Sequence, residues 1–292
     1  MKIILSRKGF DSSSVGGGCP SPVFEDGTML SFPIPDIDPG TQYQNIRWQH
    51  GDLGFLVNDL TKGKIKKDAS AHLDPDLRKE SLLKRDPAWR PLLGQSGAAQ
   101  GHLRNNNVGT GDIFLFFGLF QNVRVNNGRY EWDRKSPWRH VIWGWLQVDE
   151  VLDVEKVDRS KYPWAMEHPH FRTKAKELNN TVYVARHKIS LPLSKTSIDA
   201  PGAGVFTYLK DDLVLTDNNL HDSPRNWILP EWFYSEGGKT PLTYHPNPLS
   251  WKKDSQNGLT KLKCASIGQE FILDAENYRE SIDWIAELLA LR

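Results

Sequence analysis

Apolar and polar positions along the chain predict a β-rich fold that ends in one strong helix. MKIILS at the start reads as a strand. VFEDGTMLSFPIP sets the turn dipeptide Asp26-Gly27 between two short apolar arms and predicts a hairpin. LGFLVNDLTKGK fits a short helix or strand that stops at Gly63. In AHLDPDLRKESLLKRDP, Asp76 is placed to cap a helix carrying Leu77, Leu82 and Leu83, with Pro87 closing it.

The middle of the chain gives the clearest signal. IFLFFGLF is a continuous apolar and aromatic run of strand length, and Val108 to Gly111 form the turn that aims it. RVNNGRYEWDRKS then reads as a polar hairpin. HVIWGWLQVDEVLDV alternates, with Val141, Trp143 and Trp145 on one face and Ile142 and Leu146 on the other. A fully apolar strand beside an alternating one predicts a small barrel or curved sheet with a filled interior. Further on, TVYVARHKISL is a strand and VFTYLKDDLVLT two short strands around an Asp-Asp turn. SPRNWILPEWF is a tight irregular segment, and YPWAMEHPHF a loop rich in Pro and aromatics. In AENYRESIDWIAELLALR, Tyr278, Ile282, Ile285, Leu288 and Leu289 recur at helical spacing, with Asp274 as N-cap. The expected class is α+β, β-dominated, with flanking loops, a C-terminal helix and a single domain over residues 1–292.

Composition narrows the function classes. Charged residues are 25% and hydrophobic residues 38% of 292, the balance of an ordinary globular protein. The formal net charge of +1 gives no overall basic field for nucleic acid, so any such affinity needs a local patch. The 11 tryptophans fit either a β-rich core or surfaces that bind rings. Cys19 and Cys264 are far apart and form no CxxC, which fits a reducing compartment. No stretch has the length of a signal h-region or a bilayer span, so the expectation is a cytoplasmic protein without a membrane partner.

Three polar stretches carry candidate chemistry. SRKGFDSSSVGGGCPSP follows the first strand with glycines, hydroxyls and two cations. Backbone N–H groups in such a turn can bind an anion, which makes Ser6, Arg7, Lys8, Ser12, Ser13 and Gly17 candidate ligand-binding residues. Asp11 is the one acid there, a candidate base or a structural partner of Lys8 or Arg7. HLDPD sets His72, Asp74 and Asp76 at alternating positions that an extended segment turns to one side. His72 and Asp74 are candidate acid–base residues. Metal binding and a purely structural turn are the other readings, and no metal is assigned. In GQSGAAQGHLRNNN, Gln95, Gln100 and His102 are able to read the edge of a base. The same stretch also fits a helix cap packed closely on a sheet. The Walker lysine motif, the HxE…PCxxC pattern of zinc deaminases and the GxSxG elbow are all missing.

Two resemblances add context. NNNVGTGDIFLFFG, a hairpin and HVIWGWLQVDEVLDV together resemble PUA-like domains of the ASCH and EVE type over about residues 95–155. That likeness implies a PUA-like core at about 92–195 whose cleft accepts a base. SRKGFDSSSVGGGCPSPVFEDGTMLSFPIPD, AHLDPDL, GQSGAAQGHL, GDIFLFFGLF and GQEFIL resemble the third type of the nucleotide modification associated domains over nearly the whole chain. This second likeness implies a bacterial or phage DNA-modification system, with nucleotide or DNA as partner and companion modification enzymes beside it. It fits an enzyme or accessory factor acting on a modified base or nucleotide, transferase-like in kind, without implying a known reaction, while the PUA-like likeness implies the alternative of a non-catalytic reader that stacks a base on Trp143 or Trp145. It leaves the cofactor unknown.

Overall fold

The computed structural model describes the chain except residues 11–17, 50, 174–177, 193, 196–197, 218, 220–222, 235–239 and 267. In chain order the elements begin with β1 (Lys2–Arg7), β2 (Ser21–Val23), β3 (Ile34–Pro35), β4 (Arg47–Trp48), β5 (Gly51–Asp52) and α1 (Leu53–Leu60). Then follow β6 (Ala71–His72), β7 (Leu92–Gln95), α2 (Gly97–Asn105), β8 (Ile113–Asn126), β9 (Arg129–Trp132) and β10 (Arg139–Asp153). The last group is α3 (Pro169–Arg172), β11 (Thr181–Ala185), β12 (Ala203–Val205), β13 (Asn226–Pro230), β14 (Trp251–Asp254), β15 (Leu259–Lys263), β16 (Glu270–Asp274) and α4 (Glu280–Leu289).

The α+β, β-dominated class is what forms. The central sheet runs β16-β1-β8-β10-β11-β7 and is mixed, because β8 pairs in parallel with β1 and β2, while the other pairs along this path are antiparallel. The sheet curls without closing into a barrel. Its two end strands meet only through side chains: Gln95 of β7 donates to Glu270 of β16 at 2.6 Å. A curved sheet, rather than a small barrel, is therefore the outcome. The PUA-like arrangement expected at residues 92–195 is not borne out, since β1 and β16 from outside that range complete the sheet.

Local signals explain most of the frame. Ile113 to Phe117 are fully buried, as their unbroken apolar run predicts. Asn127 and Gly128 both take positive φ and turn β8 into β9, the expected hairpin. Asp52 caps α1 by accepting from the Gly54 and Phe55 N–H groups, which settles LGFLVNDL as a helix. β10 carries a one-residue register shift between Ile142 and Gly144. This bulge at Trp143 interrupts the simple alternation expected of the strand and re-aims that indole.

Several expectations are corrected. Asp76 caps no helix, because its N–H and C=O both pair with Leu92, leaving only a 3-10 turn at Lys79–Ser81. Leu83 is consequently exposed. Asp274 ends β16 opposite Lys2 and accepts the Glu276 N–H in a turn, so α4 starts later, at Glu280. Its expected face at Ile282, Ile285, Leu288 and Leu289 is buried, with Trp284 packed edge-on against Phe233. The expected Asp-Asp turn forms as a 3-10 turn at Asp211–Leu213, but the strands expected around it shrink to the end of β12 and isolated bridges, Val214 and Thr216 among them, and NWILP is regular strand β13.

One core histidine predicts an acid-labile fold. His140 on β10 is buried and its Nδ1 accepts from the Trp227 indole N–H at 2.9 Å. Burial, then the positive charges of Arg7 and Arg225, push it from 6.5 down to about 3. Between those values the unfolded chain binds a proton that the folded one refuses, so stability falls as pH falls, by about 1.4 kcal/mol per unit. His140→Asn keeps an acceptor and removes the titration. Urea unfolding between pH 6 and 4 is expected to show a shallower acid slope in this variant; an unchanged slope would refute the assignment.

Candidate functional site

A strand end is where backbone pairing stops and side chains are left to meet, and here several such ends converge. Ser6 of β1 is paired in register with Glu270 of β16, and Lys8 follows two residues on. Alternation then decides which side chains meet. Ser6 and Lys8 turn to one face, where Ser6 Oγ donates to Glu270 Oε1 at 3.1 Å and Lys8 Nζ lies 3.7 Å from the same oxygen. Arg7 turns to the opposite face, where its charge acts on His140 and Cys264. Gln95 completes the set by donating to Glu270 Oε1, so three donors converge on one carboxylate oxygen. Oε2 of Glu270 is buried and accepts no hydrogen bond from the described residues.

Asp74 forms the second half of the site. Its Oδ1 accepts the Gly94 N–H at 2.6 Å, which ties the HLDPD turn to β7. His168 Nε2 lies 3.3 Å from Oδ1, and His170 Nε2 lies 3.8 Å from Oδ2. Both imidazoles stand at the start of α3, with Pro169 between them at the first helical position. His72 reaches the same place from β6, its ring 5.4 Å from that of His170. Its Nδ1 lies 3.2 Å from Asp36 Oδ2. His72 and Asp74 are therefore brought together as the spacing suggests. Asp76 turns away and takes both Arg85 nitrogens at 2.6 Å.

The electrostatics follow from burial and these neighbours. Burial works to raise the Asp74 carboxyl, yet the His168 imidazole, the Lys8 ammonium and His170 outweigh it and hold it well below the usual carboxylate range. Glu270 is pushed up by burial, against the pull of Lys8, Ser6 and Gln95. Burial pushes His168 down to about 4, which keeps it neutral at pH 7. Burial would also lower His72, but Asp36 and Asp74 overcome it and raise its pKa. Two neighbouring carboxyls are thus shifted in opposite directions, Asp74 down and Glu270 up.

The other sequence candidates lie elsewhere. Gln100 on α2 is buried and accepts from the Tyr183 hydroxyl at 3.0 Å. His102, two residues on, bonds Thr243 Oγ1 at 3.0 Å and packs its ring on Tyr244. Neither touches the Asp74 cluster. Asp11, Ser12, Ser13 and Gly17 fall outside the described residues. His168, His170 and Glu270 are the residues that sequence reading passed over. The His-Pro-His spacing in EHPHF is the one signal that points to the first two.

A cleft lies against the cluster, lined by Asp74, Gly9, Arg78, Phe32, Trp143 and Phe206 among others. Trp143 stacks on Phe116 and donates its indole N–H to the Lys8 carbonyl at 3.2 Å, which fixes the ring relative to the cluster. Trp145 packs on Phe206 and is buried in the core. Close approach is required at Gly94: a Cβ there would run into the His170 ring, which Asn180 holds from its other edge at 2.6 Å. Gly94→Ala is expected to cost about 1–3 kcal/mol by overpacking. A melting temperature equal to that of the wild type would show that the His170 ring has room to yield.

The chain is thus an α+β protein with a cluster of titratable groups beside an aromatic cleft. The sequence model of nucleotide modification associated domain 3 matches residues 2–274, and the chain belongs to that family. It is accordingly a nucleotide-modification-associated protein. None of the curated proteins and none of the solved structures compared with it gives a match. No helix among the described residues is long and apolar enough to cross a membrane.

Proposed function

We propose that the protein is an enzyme that modifies a nucleotide or a DNA base in a bacterial or phage DNA-modification system, with its reaction centre at Lys8, His72, Asp74, His168, His170 and Glu270. The observation that carries this reading is the gathering of these groups at the sheet end, with Lys8, His168, His170 and Glu270 buried and His72 and Asp74 partly so. Replacing a buried ionic network by apolar residues is often neutral or stabilising, so packing gives no reason for this one. Catalysis does. In this reading the substrate base enters the cleft and stacks on Trp143, which supplies sequence-tolerant affinity of about 1–3 kcal/mol. Asp74 stays ionised and positions polar groups. Glu270, with its raised pKa and an oxygen not engaged in hydrogen bonding, takes and returns the proton.

The Trp143 wall also favours a second reading, a non-catalytic reader of modified bases. Base-edge readout by Gln100 or His102 draws no support from their positions, since both are engaged away from the cleft.

The test is mass spectrometry of nucleosides digested from DNA of the native host or phage, with the gene intact and deleted. A nucleoside that disappears or loses a substituent on deletion supports the enzyme. An unchanged pool, joined with selective binding of modified DNA by the purified protein, overturns it in favour of the reader.

A further inference from the structure

The most unusual feature of the cluster is the way the ring nitrogens are assigned. Asn180 Nδ2 donates to the His170 carbonyl at 2.9 Å, which orients the amide so that its Oδ1 faces His170 Nδ1 at 2.6 Å. An amide oxygen only accepts, so Nδ1 carries the ring proton. Nε2 of the neutral ring then presents a lone pair toward the Asp74 carboxylate at 3.8 Å. That separation is too long for a hydrogen bond. It matches two ligands of one ion, whose bonds to nitrogen and oxygen are about 2.0–2.2 Å. His72 repeats the pattern, its Nδ1 held by the Asp36 carboxylate. Metal-binding histidines show this arrangement: the outer nitrogen bonds a carboxylate or an amide oxygen, which leaves the inner one to ligate.

We propose that His72, Asp74 and His170 bind a divalent transition-metal ion. One potential ligand atom from each lies within 4.8 Å of the other two. The buried His168 supplies an independent observation. Its Nε2 lies 3.3 Å from Asp74 Oδ1, close enough to hold that oxygen and leave Oδ2, the one nearer His170, for an ion. His168 is not a ligand as placed, because its Nδ1 accepts the His170 N–H at 3.4 Å and so Nε2 carries the proton. The donor set is therefore two imidazoles and one carboxylate, with the remaining coordination positions left for water or substrate. Imidazole donors favour iron, nickel, copper or zinc over magnesium and calcium. Asp36 and Asn180 are positioning residues in this arrangement.

This inference deepens the proposed reaction centre and rests on it for its role, although binding is measured without any activity. Cobalt(II) is titrated into the full chain stripped with chelator, and its visible absorption is followed. One Co²⁺ per chain at micromolar affinity is expected. His72→Ala and His170→Ala should each weaken it at least 100-fold, and Asn180→Ala about 10–100-fold. Melting curves of the metal-free variants control for folding. If the variants do not fold, copper(II) electron paramagnetic resonance on the wild-type chain decides, because two coordinated imidazoles give resolved nitrogen splitting. No binding at 100 µM Co²⁺ overturns the proposal, as does binding that survives both His→Ala changes or a copper signal without nitrogen splitting. Metal binding with an unchanged nucleoside pool would refute the enzyme and leave the metal site standing.

Discussion

Glu270→Gln is expected to lower the yield of the modified nucleoside by about 10²–10⁴-fold while leaving the fold in place. The amide keeps the size and shape of the carboxyl. Its oxygen still accepts from Ser6 and Gln95, the two donors that converge on Oε1. The variant therefore preserves the link between β16 and β7, removes the group that takes and returns a proton, and leaves Asp74 as the anion near Lys8. The measurement is the nucleoside profile of host DNA with the variant in place of the wild-type gene, alongside the melting temperature of the purified chain. A wild-type profile would show that Glu270 has no role in proton transfer and that its burial is structural. A lost profile with a collapsed fold would be uninformative for Gln alone, so Glu270→Asp serves as the companion. It keeps the acid but draws it back by one methylene, and partial recovery is the expected result.

The sheet strands were legible in the sequence where one local rule governs. The run Ile113 to Phe117 and the Asn127-Gly128 turn each state their structure within a few residues. The site was legible only in part, because it is assembled from distant strands. Ser6 and Glu270 are neighbours through the β1–β16 pairing, which no short-range pattern encodes. Alternation along β1 separates Arg7 from Lys8, although the two were read as one cationic pair. His72 and Asp74 were found because they lie two apart in an extended segment. His168 and His170 were hidden in a loop of prolines and aromatics whose role appears only when α3 packs beside β7. Asp76 shows the converse error: a good capping residue is drawn instead into pairing with Leu92 and Arg85.

Lys8→Met should be the most destabilising single change near the site, at about 3–5 kcal/mol at neutral pH, because it strips the cation from a buried carboxylate. Methionine fills most of the space of the lysine stem, so the loss measures charge more than volume. The pH dependence separates the two causes. Glu270 already has its pKa raised by burial, and Lys8 is the first of the groups that oppose the rise. Without the ammonium the folded-state pKa climbs further above the ordinary 4.5. A carboxyl of this kind stabilises the fold fully below its unfolded pKa, where it is protonated in both states. It loses that contribution as pH rises through the folded value. Asp74 also loses the Lys8 charge, but its carboxyl is held far below pH 5, so its share of the loss is the same across this range. The difference in stability between Lys8→Met and the wild type should therefore widen from pH 5 to pH 8 in urea unfolding. A loss equal at both pH values would mean that Lys8 contributes packing alone and that Glu270 does not depend on it.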